Sequence, residues 1–210
     1  MDYKIGLKRG TVVLEKHHQE WAEAFGVEKE SLKNLLKNSV LDIQHIGSTS
    51  IPGLVAKPII DMLMAVKSLE KVKNIRSLLE SAGYEYRENG PNEDQVLFVK
   101  GPEELRTHYL HITELNSSVW QNDLAFRDYL RSHPKTVTEY ENLKNDLASK
   151  YADKRGEYTS GKNTFIKSVL RLAELRRATL IASAGASTRL ASSNLSDEEV
   201  DAINKSSGQK

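Results

Sequence analysis

The sequence predicts an α+β protein: a mixed β-sheet flanked by helices, with a helical C-terminal portion. Three observations predict it. Residues 40–113 hold about five segments of strand length and one helical segment, which is not the alternation of a parallel βαβ array. From Ser118 onward, apolar residues recur at helical spacing. Within the first of these regions, residues 59–66 form an apolar run of strand length, suited to burial on both faces. One carboxylate, Asp61, interrupts that run.

Each element has a local reason. Residues 11–14, Thr-Val-Val-Leu, are a short strand candidate. Residues 17–37 read as an amphipathic helix, because Trp21, Phe25, Leu32, Leu35 and Leu36 recur at spacings that stack on one face. Residues 40–46 form a strand leading into Gly47, Ser48, Thr49 and Ser50, a small-residue turn. A Pro52-Gly53 bend and the apolar strand follow. Ser68 stands where a helix N-cap belongs, ahead of a stripe of Leu69, Val72, Ile75, Leu78 and Leu79. Gly83 stands where that helix would be capped at its C-terminus. Residues 84–88 alternate as an edge strand, and Asn89, Gly90, Pro91 and Asn92 signal a turn. Residues 95–100 and 107–113 are two further strands divided by a Gly101-Pro102 turn.

Beyond the sheet, Trp120, Leu124, Tyr129 and Leu130 line one helix. Pro134 opens a second, with Val137, Tyr140, Leu143, Leu147 and Tyr151 as its stripe. A third begins near Ser160 and carries Phe165, Ile166, Val169, Leu172, Ala173 and Leu180. After about Ala184 the composition shifts to Ser, Ala, Gly, Asn and Lys. The chain therefore divides into a domain over residues 1–183 and a disordered tail over 184–210, in which 197–204 is a short helix candidate.

Bulk properties exclude several classes. Thirty basic residues against 29 acidic ones give a net charge of +1, so no global field draws nucleic acid or an acidic membrane. With no Cys there is neither a disulfide framework nor thiolate chemistry. No apolar stretch approaches the ~18 residues of a spanning helix. The N-terminal MDYKIGLKRG lacks the apolar core of a signal peptide. A soluble, cytoplasmic protein is expected, acting on small molecules rather than on membranes or nucleic acid.

The chemistry centres on Asp61. An ionised carboxylate in apolar surroundings needs a cation, a metal or several donors to meet it. The nearby candidates are Lys57, Ser48 and the amides of the 47–50 turn. No GxxxxGK[ST] loop is present, because Leu54 stands where the Lys is needed, and GxSxG, HExxH and CxxC are absent. On the strand at 107–113, Tyr109 and His111 share one face and His108 and Leu110 the other. His45 and His111 both lie on strands able to flank Asp61. A Gly-Ser turn beside a strand Asp is an arrangement that holds a triphosphate and Mg²⁺. Its usual form has a second carboxylate two residues away on the strand, but here Ile59 and Leu63 occupy those places. In the plain structural alternative, Ser48 caps the turn and Asp61 pairs with Lys57.

Four blocks then resemble the GrpB family in order: HIGSTSIPGLVAKPIIDMLMAV, RTHYLHI, LAFRDYLRSHP and EYTSGKNTFI. The resemblance runs from about Leu7 to Leu172. It departs before Trp21, where Lys16, His17, His18 and Gln19 replace a Pro-Tyr-Asp-Pro-like segment. It implies a nucleotidyltransferase-like fold. It also implies phosphate contacts at Gly47 and Ser48, with Thr49 and Ser50 in the same turn, and a metal carboxylate at Asp61. His111 would stand where a further carboxylate is common, as metal ligand or base. Arg106, Arg127 and Lys162, with Lys57, would be cationic clamps on phosphate. The expected activity is Mg²⁺-dependent transfer from a nucleoside triphosphate to a small acceptor. The alternatives are a module of the same fold that binds a nucleotide without catalysis, and an interaction protein whose cleft is filled.

Overall fold

The computed structural model describes residues 5–88 and 93–192, those from 184 on as backbone. The turn expected at 89–92 and the helix expected at 197–204 lie outside the described residues. Five strands form one mixed sheet: β1 (Asp42–Ile46), β2 (Ile60–Val66), β3 (Tyr84–Arg87), β4 (Val96–Lys100) and β5 (His108–Glu114). Their order is β1-β2-β5-β4-β3. Only β2 and β5 run parallel; the other neighbours are antiparallel. Six α-helices accompany them: α1 (Glu20–Leu36), α2 (Arg76–Ser81), α3 (Ser118–Ser132), α4 (Pro134–Lys150), α5 (Arg155–Ser160) and α6 (Asn163–Ser192). The expected α+β architecture is present, mixed sheet and helical second half alike.

The alternation of β2 divides the molecule. Ile60, Met62, Met64 and Val66 point to one face and are buried with Trp21, Leu32 and Leu36 of α1 and Leu79 of α2. Leu63 and Ala65 point to the other and pack with Ile46 and Trp120 of α3. A further layer behind that face joins Ile51, Leu54, Leu130 and Tyr140. The expected burial of β2 on both faces holds, with Asp61 partly exposed as the exception.

Local differences have physical causes. Residues 11–14 form no strand. The Val12 N–H donates instead to the Ala152 carbonyl, 2.8 Å away, and pairing is confined to single bridges, Leu7 with Arg106 and Glu15 with Ala56. The helix after Ser68 starts as a 3₁₀ segment, Leu69–Asn74, and becomes α only at Arg76. Ser68 caps nothing with its side chain; the Lys71 N–H donates to the Ser68 carbonyl at 3.2 Å, and the Leu69 N–H donates to Glu114 Oε1 at 3.1 Å. Gly83 has φ +85, the left-handed conformation that closes such a helix. The helix expected from near Ser160 is α6, which begins at Asn163, and a short helix that was not expected, α5, precedes it. α6 continues to Ser192, past Ala184, where composition places the start of the tail.

The chain forms two compact units, residues 1–170 and 171–210. In the second, Leu172, Leu175, Leu180 and Ile181 of α6 are exposed. Among the described residues, no helix is long and apolar enough to cross a membrane.

Candidate ligand-binding cleft

The sheet face opposite α1 is open at one end. A cleft of about 1230 Å³ lies there, lined among others by Gly47, Ser48, Asp61, His111 and Asp123. Strand register explains the convergence. Asp61 lies opposite Ile46 of β1 and Tyr109 of β5, and Leu63 lies opposite His111. Residues opposite one another point to the same side of a sheet, so Tyr109 and His111 share the face of Asp61, as the alternation of β5 predicts.

The Asp61 carboxyl faces the turn that precedes it in the chain. Gly47 has φ +67, and a Cβ there would sit 2.5 Å from Asp61 Oδ2. The turn keeps two of its own hydroxyls busy. Ser50 donates to the Gly47 carbonyl at 2.7 Å, and Thr49 donates to the Ile59 carbonyl at 3.4 Å. Thr49 and Ser50 are therefore buried within the turn. Ser48 and Tyr140 both line the cleft. From the far side, α3 grips the same segment. Arg127 donates to Gln44 Oε1 at 2.9 Å and to the His45 carbonyl at 3.0 Å. Arg131 donates to the Ser50 carbonyl through Nε and Nη2, at 3.0 and 2.7 Å.

The carboxylate that β2 lacks arrives from elsewhere. Asp123 of α3 lines the cleft, and its pKa is pushed up to about 6, first by burial and then by the charge of Asp61. Sequence reasoning missed it. Its signal was its place three residues after Trp120, on the face of α3 that meets the sheet. His111 stands nearby, its Nδ1 paired with Gln95 Oε1 at 2.8 Å. Burial lowers its pKa, and Asp61 pulls the other way. Among the described residues, no group of three or more His, Cys, Asp and Glu can hold a metal alone. Two carboxylates in one cleft are nonetheless what Mg²⁺ takes from a protein when substrate phosphates supply other ligands.

The opposite wall is cationic. Lys57, Arg155 and Lys162 line the cleft with Tyr109 and Tyr158. Lys57 and Lys162 both lie over the Tyr158 ring, and Arg155 lies over Tyr109. Burial first, then the neighbouring cations, push Lys57 down to about 7, against the pull of Asp61. The structural alternative of a Lys57–Asp61 ion pair is not realised, since no such pair lies within 4.0 Å.

Three residues singled out from the sequence lie apart from this constellation. His45 pairs with Met62 in register and so occupies the α1 face, where it stacks on Phe25 and bonds Thr49. It does not flank Asp61, because strand alternation turns it away. Arg106 lines the rim of the cleft, with its guanidinium held by Glu85 Oε2 at 2.6 Å and the Gly101 carbonyl. Arg127 is occupied by the grip on β1 described above. Gly47, Ser48, Lys57, Asp61, His111 and Lys162 are brought together.

A mixed sheet with helices on both faces and a polar cleft at the turn before β2 defines an α+β protein with a candidate ligand site in residues 1–170. Comparison with known proteins supplies the family. A model described as "GrpB protein" matches residues 11–172, and the chain belongs to the GrpB family. It is 38% identical over 170 residues to the glutamate-rich protein GrpB of Alkalihalophilus pseudofirmus, covering 79% of this chain and 98% of that one. It is 40% identical to the UPF0157 protein YqkA of Bacillus subtilis over 72% of this chain, but spans only 44% of that protein's length. The crystal structure of the conserved protein GrpB from Enterococcus faecalis aligns with a TM-score of 0.72 at 37% identity, covering 79% of this chain and 99% of the other.

Proposed function

We propose that the cleft binds a nucleoside triphosphate with Mg²⁺ and transfers its nucleotidyl group to a small acceptor. One observation carries the reading: the Asp61 carboxyl is packed against the Gly47 turn, with the Asp123 carboxyl in the same cleft. Ser48 and the turn amides contact the phosphates, and Lys57 and Lys162 balance their charge. Asp61 is the carboxylate placed to hold the ion. His111, kept neutral by burial and oriented by Gln95, is the nitrogen donor of that wall. Mg²⁺ draws charge from the phosphates when bound. The acceptor oxygen forms a bond to the α-phosphorus as the bond to the bridging oxygen breaks. Pyrophosphate leaves, and the acceptor's proton passes to Asp123. The residues preorganise charge and position.

The test is thermal stability with each of the four nucleoside triphosphates, with and without Mg²⁺, on the wild type and Asp61→Asn. A ligand at a hundredfold its dissociation constant adds about 2.7 kcal/mol to stability. A Mg²⁺-dependent rise that Asp61→Asn abolishes is expected. A rise indifferent to both Mg²⁺ and Asp61 would replace transfer by simple nucleotide binding, the reading favoured by the lack of a three-ligand metal group among the described residues.

A further inference from the structure

The half-buried cations of the cleft wall are held differently from the buried cations among the described residues. Arg106 has Glu85 and the Gly101 carbonyl; Arg127 has Asp128, Gln44 and the His45 carbonyl; Lys144 has the Val55 carbonyl. Each lies within its acceptors. Lys57 and Lys162 have no hydrogen-bond acceptor and no carboxylate among the described residues. Their ammonium groups are met instead by the Tyr158 ring, with centroids 5.6 and 4.8 Å away. Arg155 lies 4.8 Å from the Tyr109 centroid and donates to the Tyr109 hydroxyl, but it too has no carboxylate.

Three like charges share this wall; burial first and the neighbouring cations disfavour the charge on each lysine, while the Asp61 carboxylate, beyond ion-pair distance, acts the other way. Gathering like charges on one half-buried wall costs free energy, and a ring face offsets only part of it. An anionic group that enters the cleft supplies the counter-charge that the wall lacks at close range. Its chemistry follows from the donor set. Two point-charge ammoniums and one forked guanidinium suit a group with several oxygens and more than one negative charge. A single carboxylate, with two oxygens and one charge, would leave part of the set unmatched.

We propose that Lys57, Arg155 and Lys162 form a preformed subsite for a terminal phosphoryl group, one that fills without a metal ion. The identification of that group with the end of a nucleoside triphosphate rests on the function proposed above. The anion site itself stands on the three cations. In this arrangement the phosphate end of the ligand docks first against Tyr158, and the carboxylates of β2 and α3 act at the other end.

The experiment is calorimetric titration in the presence of EDTA, with pyrophosphate and inorganic phosphate as probes, on the wild type, Lys57→Met and Lys162→Met. Thermal melts of the free proteins accompany it. Pyrophosphate is expected to bind the wild type without metal and more tightly than phosphate. Each Met variant is expected to bind at least about tenfold more weakly, the loss of one charge-assisted contact. The free Met variants should melt at the same temperature or higher, because one of three like charges crowded on the wall has been removed. A lower melting temperature would mean that the lysines serve the fold and would overturn the proposal. So would failure of the wild type to bind pyrophosphate without metal. Competition separates the two readings. If Mg²⁺-nucleotide binds but pyrophosphate alone does not, the subsite is wrong and the nucleotide function survives. If pyrophosphate binds and neither a nucleoside triphosphate nor a nucleoside monophosphate displaces it, the subsite stands and the nucleotide function falls. Displacement by the triphosphate but not by the monophosphate supports both and identifies the terminal phosphates as the occupant.

Discussion

Asp61 and Met62 are neighbours on one strand, yet they belong to opposite environments. Met62 is fully buried in the layer between the sheet and α1. Asp61, one residue earlier, opens onto a cleft with a second carboxyl and a set of unpaired cations. The closed face is held by apolar contact, and two of its buried nitrogens, Trp21 Nε1 and His108 Nε2, have no hydrogen-bond partner. The open face gathers charged groups around a cleft. Residues on the first should govern stability, and residues on the second should govern ligand binding at little or even negative cost in stability.

Four substitutions test that contrast, from the largest expected effect to the smallest. Met62→Ala should destabilise by about 2–5 kcal/mol in urea unfolding, the range for a large-to-small change in a packed core. A smaller loss would mean that the α1 layer is loosely packed. Asp123→Asn should do the opposite. The folded-state pKa of Asp123, about 6, lies above its ordinary value, so the folded chain is stabilised by proton uptake at low pH and loses that stabilisation as pH rises through 6. At pH 7 the variant should be about 1–3 kcal/mol more stable than the wild type, with the difference vanishing near pH 4. Equal stabilities at pH 7 would show that Asp123 is not strained by burial.

His45 tests the closed face by pH. Burial, with help from Arg131 and Arg127, pushes its pKa down to about 3. The unfolded chain takes up a proton near the ordinary histidine value, whereas the folded chain resists it until far lower. Stability from this group is thus complete above about pH 6.5 and declines as pH falls toward 3. Between pH 7.5 and pH 5 the wild type should lose about 2 kcal/mol that His45→Gln does not. Asp61→Asn should change stability by less than about 0.5 kcal/mol, since Asp61 has no ion-pair partner among the described residues to lose. The same change should remove the Mg²⁺-dependent response to nucleotide. A large loss of stability from Asp61→Asn would erase the distinction between the faces.

Much of this division was legible in the sequence. The period of β2 separates Asp61 from Met62, and the period of β5 places His111 with Tyr109, whatever the surrounding fold. The lone carboxylate in an apolar run marked the site because its surroundings gave it no reason to be there. What stayed hidden depends on distant partners. Arg106 and Arg127 look like free clamps in sequence, but Glu85 is 21 residues from the one and Gln44 is 83 residues from the other. Only the folded chain shows which cations are already occupied. Asp123 was missed, because its place three residues after Trp120 sets its helix face but not that this part of α3 reaches the cleft. Arg155 and Tyr158 were lost with the boundary of α5, which a single long helix from Ser160 cannot anticipate. The strand expected at residues 11–14 failed for a related reason: β propensity cannot tell whether a neighbouring strand will be there to pair with.

The two arginines that grip the Gly47 turn from behind have a consequence for the speed of binding. Arg127 fixes the His45 carbonyl and Arg131 the Ser50 carbonyl, on either side of the residues that would meet a ligand. A turn so tethered has no separate closing step to complete when a ligand arrives. Association followed by stopped-flow fluorescence should therefore be a single exponential whose rate rises linearly with ligand concentration and does not level off. Arg131→Met, which frees one end of the turn, should introduce a ceiling in that plot, the signature of a rearrangement that has become slow enough to wait for.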